Sequence, residues 1–416
     1  MKKRQLSGVI IGCLLSGVLL FTGCGDDVEA TIPASGFVYV EQESIRVPEV
    51  TQAPEAEPTQ KPEEGTSQEG LVIPEAVPII TPEPTPEPTP APTPEPTPEV
   101  VSITISAAGD CSLGNYHDQE YSLSFNQAYD KEGGAEFFLR NVKDIFAADD
   151  MTIVNLEGVL TDSTKLETGR TFNIKGDPSY AKILTSGSVE AVSMGNNHRL
   201  DFGTAGTADT EEALEAENIV YAYDNKVGMY ETKGIRIGFV SVNEVSWGYG
   251  SEKLLQEGIE QLKTEGADLI ISCCHWGVEK DYYPEKYQHT LGQKCIDWGA
   301  DLVLGHHPHV LQGIEEYNGK FIVHSLGNFS FGANRNPSDK DTMIFQQTFT
   351  FTEGVKQEAA QAKVIPCSIS SVSNRNNFQP TPLEGEEMTR VIGRLNEFSA
   401  DMGVTVLEDG SLQVRE

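Results

Sequence analysis

Three of the eight histidines in this 416-residue chain lie within four positions, in the segment LVLGHHPHVLQG. They are His306, His307 and His309, and Gly305 precedes them at the end of an aliphatic run. Closely spaced imidazoles suit a metal site or a catalytic base, because neutral imidazole is both a metal ligand and a proton acceptor. A crowded turn without chemistry is the alternative that this segment alone leaves open.

Polar side chains occupy the same kind of position, directly after an aliphatic run, in four other segments. These residues are Asp110, Asn155, Glu157, Asn196, Asn197, His198 and His275. Ligands of open α/β sheets bind in the crevice beyond the carboxyl ends of the strands. We therefore expect five segments of the chain, including the histidine segment, to place side chains in one cleft.

The residue types in this set indicate a metal centre. The predicted metal ligands are Asp110, Glu157, Asn197, His275, His307 and His309. This mixed nitrogen and oxygen set suits one or two ions of Mn, Fe or Zn and lacks the thiolates of a structural zinc site. Glu157 is long enough to bridge two ions, and two metals about 3.5–4 Å apart would clamp both oxygens of a phosphoryl transfer. His198 would then serve as the general acid.

Each segment also fits an ordinary structural role. Gly-Asp after a strand is often a turn, and Asn196-Asn197-His198 suits an Asx-type turn before a helix. His275 alone suits a packed, hydrogen-bonded histidine. Asp201 would either orient His198 as a catalytic partner or cap the following helix. The shared topological position of the five segments favours a site over these alternatives.

Four more polar residues are candidates for binding the substrate. They are Asn155, Asn196, His306 and Asn328. Asn328 lies in SLGNFSF, where a turn at the end of a strand is the alternative.

Hydrophobic periodicity predicts the elements that position these residues. Strands are predicted at 101–110, 151–158, 189–198, 234–242, 267–277 and 300–307, and helices at 135–150, 178–187, 206–218, 251–266 and 284–299. Ser251 is expected to cap the helix at 251–266. This alternation predicts an α/β fold with a largely buried sheet. After His309 the pattern becomes β, and a helix at about 385–400 and a short strand pair follow.

The ordered motifs resemble those of a known family. AAGDCSLG, NLEG, GNNHRLDFG, CHWG, GHHPHVLQG and SLGNFSF are similar to motifs of the CapA family, the poly-γ-glutamate capsule proteins. The resemblance covers about residues 103–331, and that family is similar in fold to calcineurin-like metallophosphatases. It implies that residues 101–416 form a metallo-dependent-phosphatase-like, four-layer α/β/β/α sandwich. It also implies a role in making, exporting or anchoring an anionic wall polymer.

The metallophosphatase pattern matches the predicted ligand set with one departure. The first motif of those phosphatases is Asp-x-His, whereas this chain has Asp110-Cys111-Ser112. One metal therefore loses an imidazole. His306 or His117 would compensate, or the site would hold a single ion.

Two functions of different classes follow from these motifs. The first is an envelope-anchored, metal-dependent hydrolase-like enzyme acting on an anionic surface polymer or a phosphoester, with γ-glutamyl amide hydrolysis as a variant. The second is a noncatalytic capsule-assembly or polymer-binding protein on the same scaffold. Capsule-synthesis membrane proteins are candidate partners for either.

The first hundred residues predict export and anchoring. Lys2, Lys3 and Arg4 precede an apolar run that ends in LFTGCGDD, which is typical of a lipoprotein signal peptide at 1–24 with lipidation of Cys24. A simple signal peptide is the alternative. Residues 25–100 are predicted to be a Pro/Thr/Glu-rich disordered spacer, and their repeated prolines favour an extended rod. We expect an extracytoplasmic protein, lipid-anchored to the outer face of the bacterial cell membrane.

Charge and cysteine content narrow the function classes. The formal net charge of −33 argues against nonspecific binding to nucleic acid or adsorption to anionic lipid. Apart from Cys13 and Cys24, five cysteines remain, an odd number without framework spacing, so the fold does not depend on disulfides. Cys273 and Cys274 lie in an apolar strand and are expected to pack in the core.

Overall fold

The structure is a computed structural model that describes residues 98–169, 172–358 and 361–415. These residues belong to one compact unit, Pro90–Glu416. The predicted signal peptide at 1–24, Cys24 and nearly all of the spacer at 25–100 lie outside the described residues. Within the described part, no helix is long and apolar enough to cross a membrane.

The strands, in chain order, are β1 (Val100–Ser112), β2 (Asn115–Tyr116), β3 (Met151–Leu156), β4 (Val159–Leu160), β5 (Ile174–Gly176), β6 (Ala191–Ser193), β7 (Val220–Ala222), β8 (Gly228–Thr232), β9 (Ile235–Asn243), β10 (Leu269–His275), β11 (Leu302–His306), β12 (Ile314–Tyr317), β13 (Lys320–Val323), β14 (Asn328–Phe331), β15 (Asp341–Thr352), β16 (Val355–Lys356), β17 (Gln361–Ser368), β18 (Thr381–Pro382), β19 (Val404–Val406) and β20 (Leu412–Val414). The helices are α1 (Phe125–Glu132), α2 (Ala135–Phe138), α3 (Lys143–Phe146), α4 (Ala181–Ser186), α5 (Gly203–Ala216), α6 (Glu244–Trp247), α7 (Gly250–Thr264), α8 (Lys286–Trp298) and α9 (Gly385–Phe398), and a 3₁₀ turn covers Pro178–Tyr180.

Two large sheets organise these elements, and the predicted α/β class is confirmed. The first sheet has the order β18-β17-β15-β1-β3-β6-β7, with β14 also paired to β1 and β16 to β15. Its strands β1, β3, β6 and β7 are parallel. The second sheet has the order β12-β13-β11-β10-β9-β8, and β9, β10, β11 and β13 are parallel. Parallel strands share a carboxyl edge, which is where the polar motifs were predicted to meet.

Three apolar clusters fill the space around the sheets. One joins the facing sides of the two sheets and includes Ile153 and Ile271. A second includes Val154 of the first sheet together with residues of α1–α5. The third includes Ile270 and Cys274 of the second sheet together with residues of α7 and α8. Neighbouring residues of one strand enter different clusters because side chains alternate across a strand.

All five cysteines of the described residues are free and buried. Cys273 lies in the cluster between the sheets, and Cys274 lies in the cluster under α7 and α8. The predicted packing role of this pair is therefore confirmed.

Two local predictions were wrong. The helix expected at 135–150 is two short helices, α2 and α3, and between them Asn141 donates to Thr381 Oγ1 at 2.9 Å. That contact joins residues 240 positions apart, so tertiary structure overrides local periodicity. Ser251 does not cap α7, because the cap is Tyr249 and the Ser251 hydroxyl donates to the Gly248 carbonyl at 2.7 Å.

Candidate metal centre

Glycines allow the strand ends to approach closely at the candidate site. A Cβ at Gly109 would lie 1.9 Å from the Gly327 carbonyl oxygen, which accepts the Asp110 amide at 2.9 Å. A Cβ at Gly305 would lie 1.9 Å from the carbonyl oxygen of His324. Only glycine fits at either position, so these residues set how closely Asp110 and the histidine segment can meet.

Asp110 is the point at which the two sheets meet. Its fully buried carboxylate accepts from Asn155 Nδ2 at 2.9 Å. Its oxygens also lie 3.2 Å from Nδ1 of His306 and 3.2 Å from Nδ1 of His309. Burial alone would raise the pKa of Asp110, but the two imidazoles outweigh it and hold the pKa well below its usual range.

Glu157 is fully buried, and neither of its carboxylate oxygens has a hydrogen-bond partner. Its Oε1 lies 3.6 Å from His309 Nε2 and 3.8 Å from His198 Nε2. Burial raises the pKa of Glu157 to about 7. A buried carboxylate without hydrogen bonds is costly, and a cation is the natural partner that would remove the cost.

His307 and His309 both have left-handed backbone conformations, with φ of 97° and 57°. Such conformations are strained for non-glycine residues and concentrate at functional sites. Burial lowers the pKa of His307 to about 4, and its buried Nδ1 has no hydrogen-bond partner. For His309, burial is outweighed by Glu157 and Asp110, and the pKa is raised to about 9.

His275 and Asn197 contact each other at the end of β10. His275 Nε2 and Asn197 Oδ1 are 2.8 Å apart, and His275 Nδ1 is 3.4 Å from Asn155 Nδ2. The ring centroids of His275 and His307 are 4.8 Å apart. Burial, reinforced by His307, lowers the pKa of His275 well below its usual value, so this imidazole is neutral.

His198 contacts Asp201, as expected if Asp201 orients His198. His198 Nδ1 lies 2.7 Å from Asp201 Oδ2, which also accepts the Ile174 amide at 2.7 Å. The side chain of Asp201 does not cap α5, whose N-cap is Phe202. Burial would lower the pKa of His198, but Asp201 and Glu157 raise it.

The predicted substrate-binding residues have different surroundings. Asn155 is fully buried behind Asp110, and Asn196 donates to the Leu156 carbonyl at 2.8 Å while accepting the His198 amide at 3.1 Å. His306 is 2% exposed and lies against Asp110 without hydrogen-bond geometry. Asn328 lines the cleft, and its Oδ1 lies 3.0 Å from His309 Nδ1. Asn155, Asn196 and His306 therefore contact other residues of the site and do not line the cleft.

Ser112 occupies the position where an imidazole was expected. Its hydroxyl is buried and has no hydrogen-bond partner. His117 is 39% exposed and contacts Asp118 at 4.0 Å. Of the two histidines that were expected to compensate, His306 is therefore the one that reaches Asp110.

A cavity of about 260 Å³ opens onto Glu157, His198, His309 and Asn328. Residues that sequence reasoning missed also line it, namely Tyr116, Phe172, Glu279 and Lys280. Glu279 follows β10 in the loop after His275, so the rule that found the other polar residues could have found it. Tyr116 and Phe172 stack with ring centroids 4.5 Å apart, and no sequence signal marked them.

Two groups of possible metal ligands in the described residues each include two residues that line this cavity. They are Asp110, Glu157 and His309, and Glu279, His307 and His309. Carboxylate and neutral imidazole donors are suited to Mn²⁺, Fe or Zn²⁺, and the unpartnered oxygens of Glu157 fit the same requirement. The residues present therefore fit a divalent cation.

A third group, His289, Glu315 and His324, lies elsewhere. Glu315 Oε2 already contacts His289 Nδ1 at 2.5 Å and His324 Nε2 at 2.9 Å. A metal on His324 Nε2 would leave the proton on Nδ1, which is buried without a partner. This group is better described as a hydrogen-bonded triad.

Comparison with known proteins identifies the family of the chain. The family model described as bacterial capsule synthesis protein PGA_cap matches residues 104–333, which is 230 of the 416 residues. The chain belongs to this family. The matched residues include every metal ligand predicted from the sequence, from Asp110 to His309.

Curated relatives match over similar lengths. The chain is 28% identical over 250 residues to the PGA biosynthesis protein CapA of Bacillus subtilis, covering 55% of this chain and 63% of that protein. It is 28% identical over 254 residues to the capsule biosynthesis protein CapA of Bacillus anthracis, covering 55% of this chain and 60% of that protein. A probable polyglutamine synthesis accessory protein of Mycobacterium tuberculosis is 23% identical over 210 residues, covering 44% of this chain and 55% of that protein. The chain thus spans about six tenths of the length of the two CapA proteins.

Proposed function

We propose that this protein is a cell-envelope, metal-dependent hydrolase-like enzyme that acts in the synthesis, export or anchoring of an anionic surface polymer of the poly-γ-glutamate type. The observation that carries this proposal is Glu157, a fully buried carboxylate without hydrogen bonds, which faces His198 across the cavity. A noncatalytic scaffold has no need for this combination. The names of the Bacillus relatives, which refer to capsule and PGA biosynthesis, support the polymer class.

We also propose a four-layer α/β/β/α sandwich of the metallophosphatase type. The support is the order of the three apolar clusters, with one between the sheets and one under the helices on each outer side. In this arrangement the carboxyl edges of β1, β3 and β6 face those of β10 and β11 across one cleft.

The residues of the cleft divide into ligands and proton-handling groups. Asp110, Glu157, Asn197, His275, His307 and His309 would hold one or two divalent ions, and the neutral imidazoles of His275 and His307 are in the form that binds metal. When bound, such an ion supplies Lewis-acid polarisation of a carbonyl or phosphoryl oxygen and lowers the pKa of water.

His198 would handle the proton of the leaving group. Its Nδ1 donates to Asp201, which leaves Nε2 on the side of Glu157 and the cavity. Asp201 and Glu157 raise the pKa of His198, and the protonated ring would carry its second proton at Nε2, from which it can be delivered to a departing oxygen or nitrogen. The leaving group can belong to a phosphoester or to a γ-glutamyl amide.

A second candidate is a noncatalytic capsule-assembly or polymer-binding protein. Ser112 favours it, because an unpartnered hydroxyl stands beside Asp110 where an imidazole ligand would complete the first ion position. The strong negative charge of the chain fits polyanion binding only where cations lie between the two.

We propose that Cys24 anchors the chain to the outer face of the membrane and that the spacer at 25–100 holds the domain away from it. Capsule-synthesis membrane proteins would be its partners there. The anchor can be tested by labelling cells that express the protein with a radioactive fatty acid. We expect label on the wild-type protein and none on Cys24→Ala.

Metal analysis of the purified full chain, with assays on phosphodiester and γ-glutamyl substrates in Mn²⁺, tests the enzyme proposal. We expect bound metal in the wild type, loss of metal in His307→Ala, and retained metal with lost turnover in His198→Ala. His117→Ala is the matched control and should keep both. Unchanged metal content in His307→Ala would contradict the proposed metal site. Unchanged turnover in His198→Ala would contradict the enzyme proposal and favour the noncatalytic polymer-binding protein.

A further inference from the structure

We infer that Glu279, His307 and His309 form a second, outer cation position at the mouth of the cleft, in which Glu279 is a ligand. This inference rests on the proposed metal-dependent function and extends it to a residue outside the ligand set expected from the sequence. The three residues offer one carboxylate oxygen and two imidazole nitrogens that lie within 4.8 Å of one another.

The backbone holds the Glu279 loop against the histidine segment. The Lys280 amide donates to the Pro308 carbonyl at 2.8 Å, and the Trp276 amide donates to the His306 carbonyl at 3.0 Å. Lys280 has a left-handed backbone with φ of 65°, as do His307 and His309. Two strained segments are thus joined by hydrogen bonds next to Glu279, so the fold fixes the backbone of Glu279 beside the histidine segment.

The imidazole of His307 has capacity left for a ligand. His307 is 5% exposed and its Nδ1 has no hydrogen-bond partner. Glu279 is exposed, so its carboxylate can move the short distance needed to close around an ion. Ligand atoms around one Zn²⁺ ion are about 3.3–4.2 Å apart, given bond lengths of about 2.0–2.1 Å, so only a small closure is required.

The donor set identifies the class of cation. Two histidines and one carboxylate form the ligand set of hydrolytic zinc sites and of open Fe²⁺ and Mn²⁺ sites. Three protein ligands would leave at least one position of a tetrahedral ion for water or for an anionic substrate. Ca²⁺ and Mg²⁺ prefer oxygen donors, so a site with two imidazoles favours Zn²⁺, Fe²⁺ or Mn²⁺ over them.

His309 belongs to both the inner and the outer groups of ligands. The inner group pairs it with Asp110 and Glu157, which are fully buried, and the outer group pairs it with the exposed Glu279. Because a neutral imidazole has one nitrogen free to bind a metal, His309 ligates only one ion at a time, and the two positions also differ in accessibility. The outer ion should therefore exchange faster and bind more weakly than the inner ion, because its third ligand has to be ordered from solvent.

Equilibrium dialysis of the full-length protein against Zn²⁺, Mn²⁺ and Co²⁺, together with the visible absorption spectrum of bound Co²⁺, tests this inference. We expect two ions per wild-type chain, with the weaker one lost in Glu279→Gln or bound at least ~10-fold more weakly. Glu257→Gln makes the same change at an exposed residue of α7 and should leave both ions in place. Glu279→His replaces one metal ligand by another and should restore the second ion, which a purely structural role would not allow.

The outcomes separate this inference from the proposed function. Wild-type stoichiometry, affinity and Co²⁺ spectrum in Glu279→Gln would overturn the outer position while leaving the inner site intact. The outer position would also be overturned if the wild type binds one ion that is lost in Glu157→Gln and kept in Glu279→Gln. A wild-type chain that binds no ion would overturn the proposed metal-dependent function and this inference together.

Discussion

His198 Nδ1 lies 2.7 Å from Oδ2 of Asp201, and that carboxylate is fully buried at the beginning of α5. The same oxygen accepts the Ile174 amide, and the Asp201 carbonyl accepts Asn173 Nδ2 at 2.9 Å. Asp201 is therefore fixed by contacts on both its backbone and its side chain, and it fixes the ring of His198 in turn. A positioned imidazole with a raised pKa has the properties of a general acid.

We expect Asp201→Asn to lower the pKa of His198 and to reduce turnover at least ~10-fold. The amide keeps a hydrogen-bond acceptor but loses the charge that stabilises the imidazolium. The attraction between Asp201 and protonated His198 stabilises the wild-type fold below a pH of about 6.5, which is the pKa of histidine in the unfolded chain. This stabilisation is lost as the pH rises through the raised pKa of His198 in the folded protein. The stability difference between wild type and variant should therefore be largest below about pH 6.5.

NMR titration of the His198 ring and chemical denaturation at several pH values measure these effects. Asp177→Asn is a matched control, because Asn also caps the 3₁₀ turn that Asp177 precedes. An unchanged His198 pKa in Asp201→Asn would show that Asp201 has a structural role alone.

Glu157→Gln should stabilise the metal-free protein at alkaline pH. The folded pKa of Glu157 is raised from 4.5 to about 7, so its charged form is penalised in the folded state. No effect is expected below about pH 4.5, where both states are protonated, and the full effect of roughly 3 kcal/mol is expected above pH 7. Thermal unfolding in a chelator at pH 4 and pH 8 measures this difference.

Added Zn²⁺ or Mn²⁺ should reverse the order of stability, so that the wild type becomes more stable than Glu157→Gln. The cation compensates the charge of Glu157, so the wild type gains stability with metal concentration while the variant gains less. Glu257→Gln serves as the control at an exposed acid. A wild-type midpoint that is the same with and without metal would argue against Glu157 as a ligand.

Gly109→Ala should destabilise the protein by about 2–3 kcal/mol or prevent folding, since the new Cβ would meet the Gly327 carbonyl oxygen at 1.9 Å. Gly393→Ala is the contrasting change, because no atom lies within 4 Å of the added Cβ on α9. That variant should gain about 0.5–1 kcal/mol from helix propensity. Urea denaturation of both variants measures the difference, and equal stabilities would contradict the close approach of β1 and the segment at Gly327.

The alternation of aliphatic runs and amphipathic segments was sufficient to predict the α/β class. The period of two or of 3.6 residues is a local property, so strands such as β9, β10 and β11 and helices such as α7 and α8 could be predicted from it. The position of Asp110, His275 and the histidine segment after their strands was equally local. Since parallel strands share a carboxyl edge, the set of candidate ligands followed as well.

The sequence by itself therefore determined which residue types stand at the strand ends, whereas only the tertiary structure decided which of them face the cleft. Asn155 near the end of β3 and Asn196 just after β6 lie behind Asp110 and His198, whereas Asn328 at the start of β14 lines the cavity. Glu279 reaches His307 and His309 because backbone hydrogen bonds join two loops about 30 residues apart in the chain. The direction and burial of a side chain at a strand end depend on what packs against it from distant segments, and no local period in the sequence encodes that.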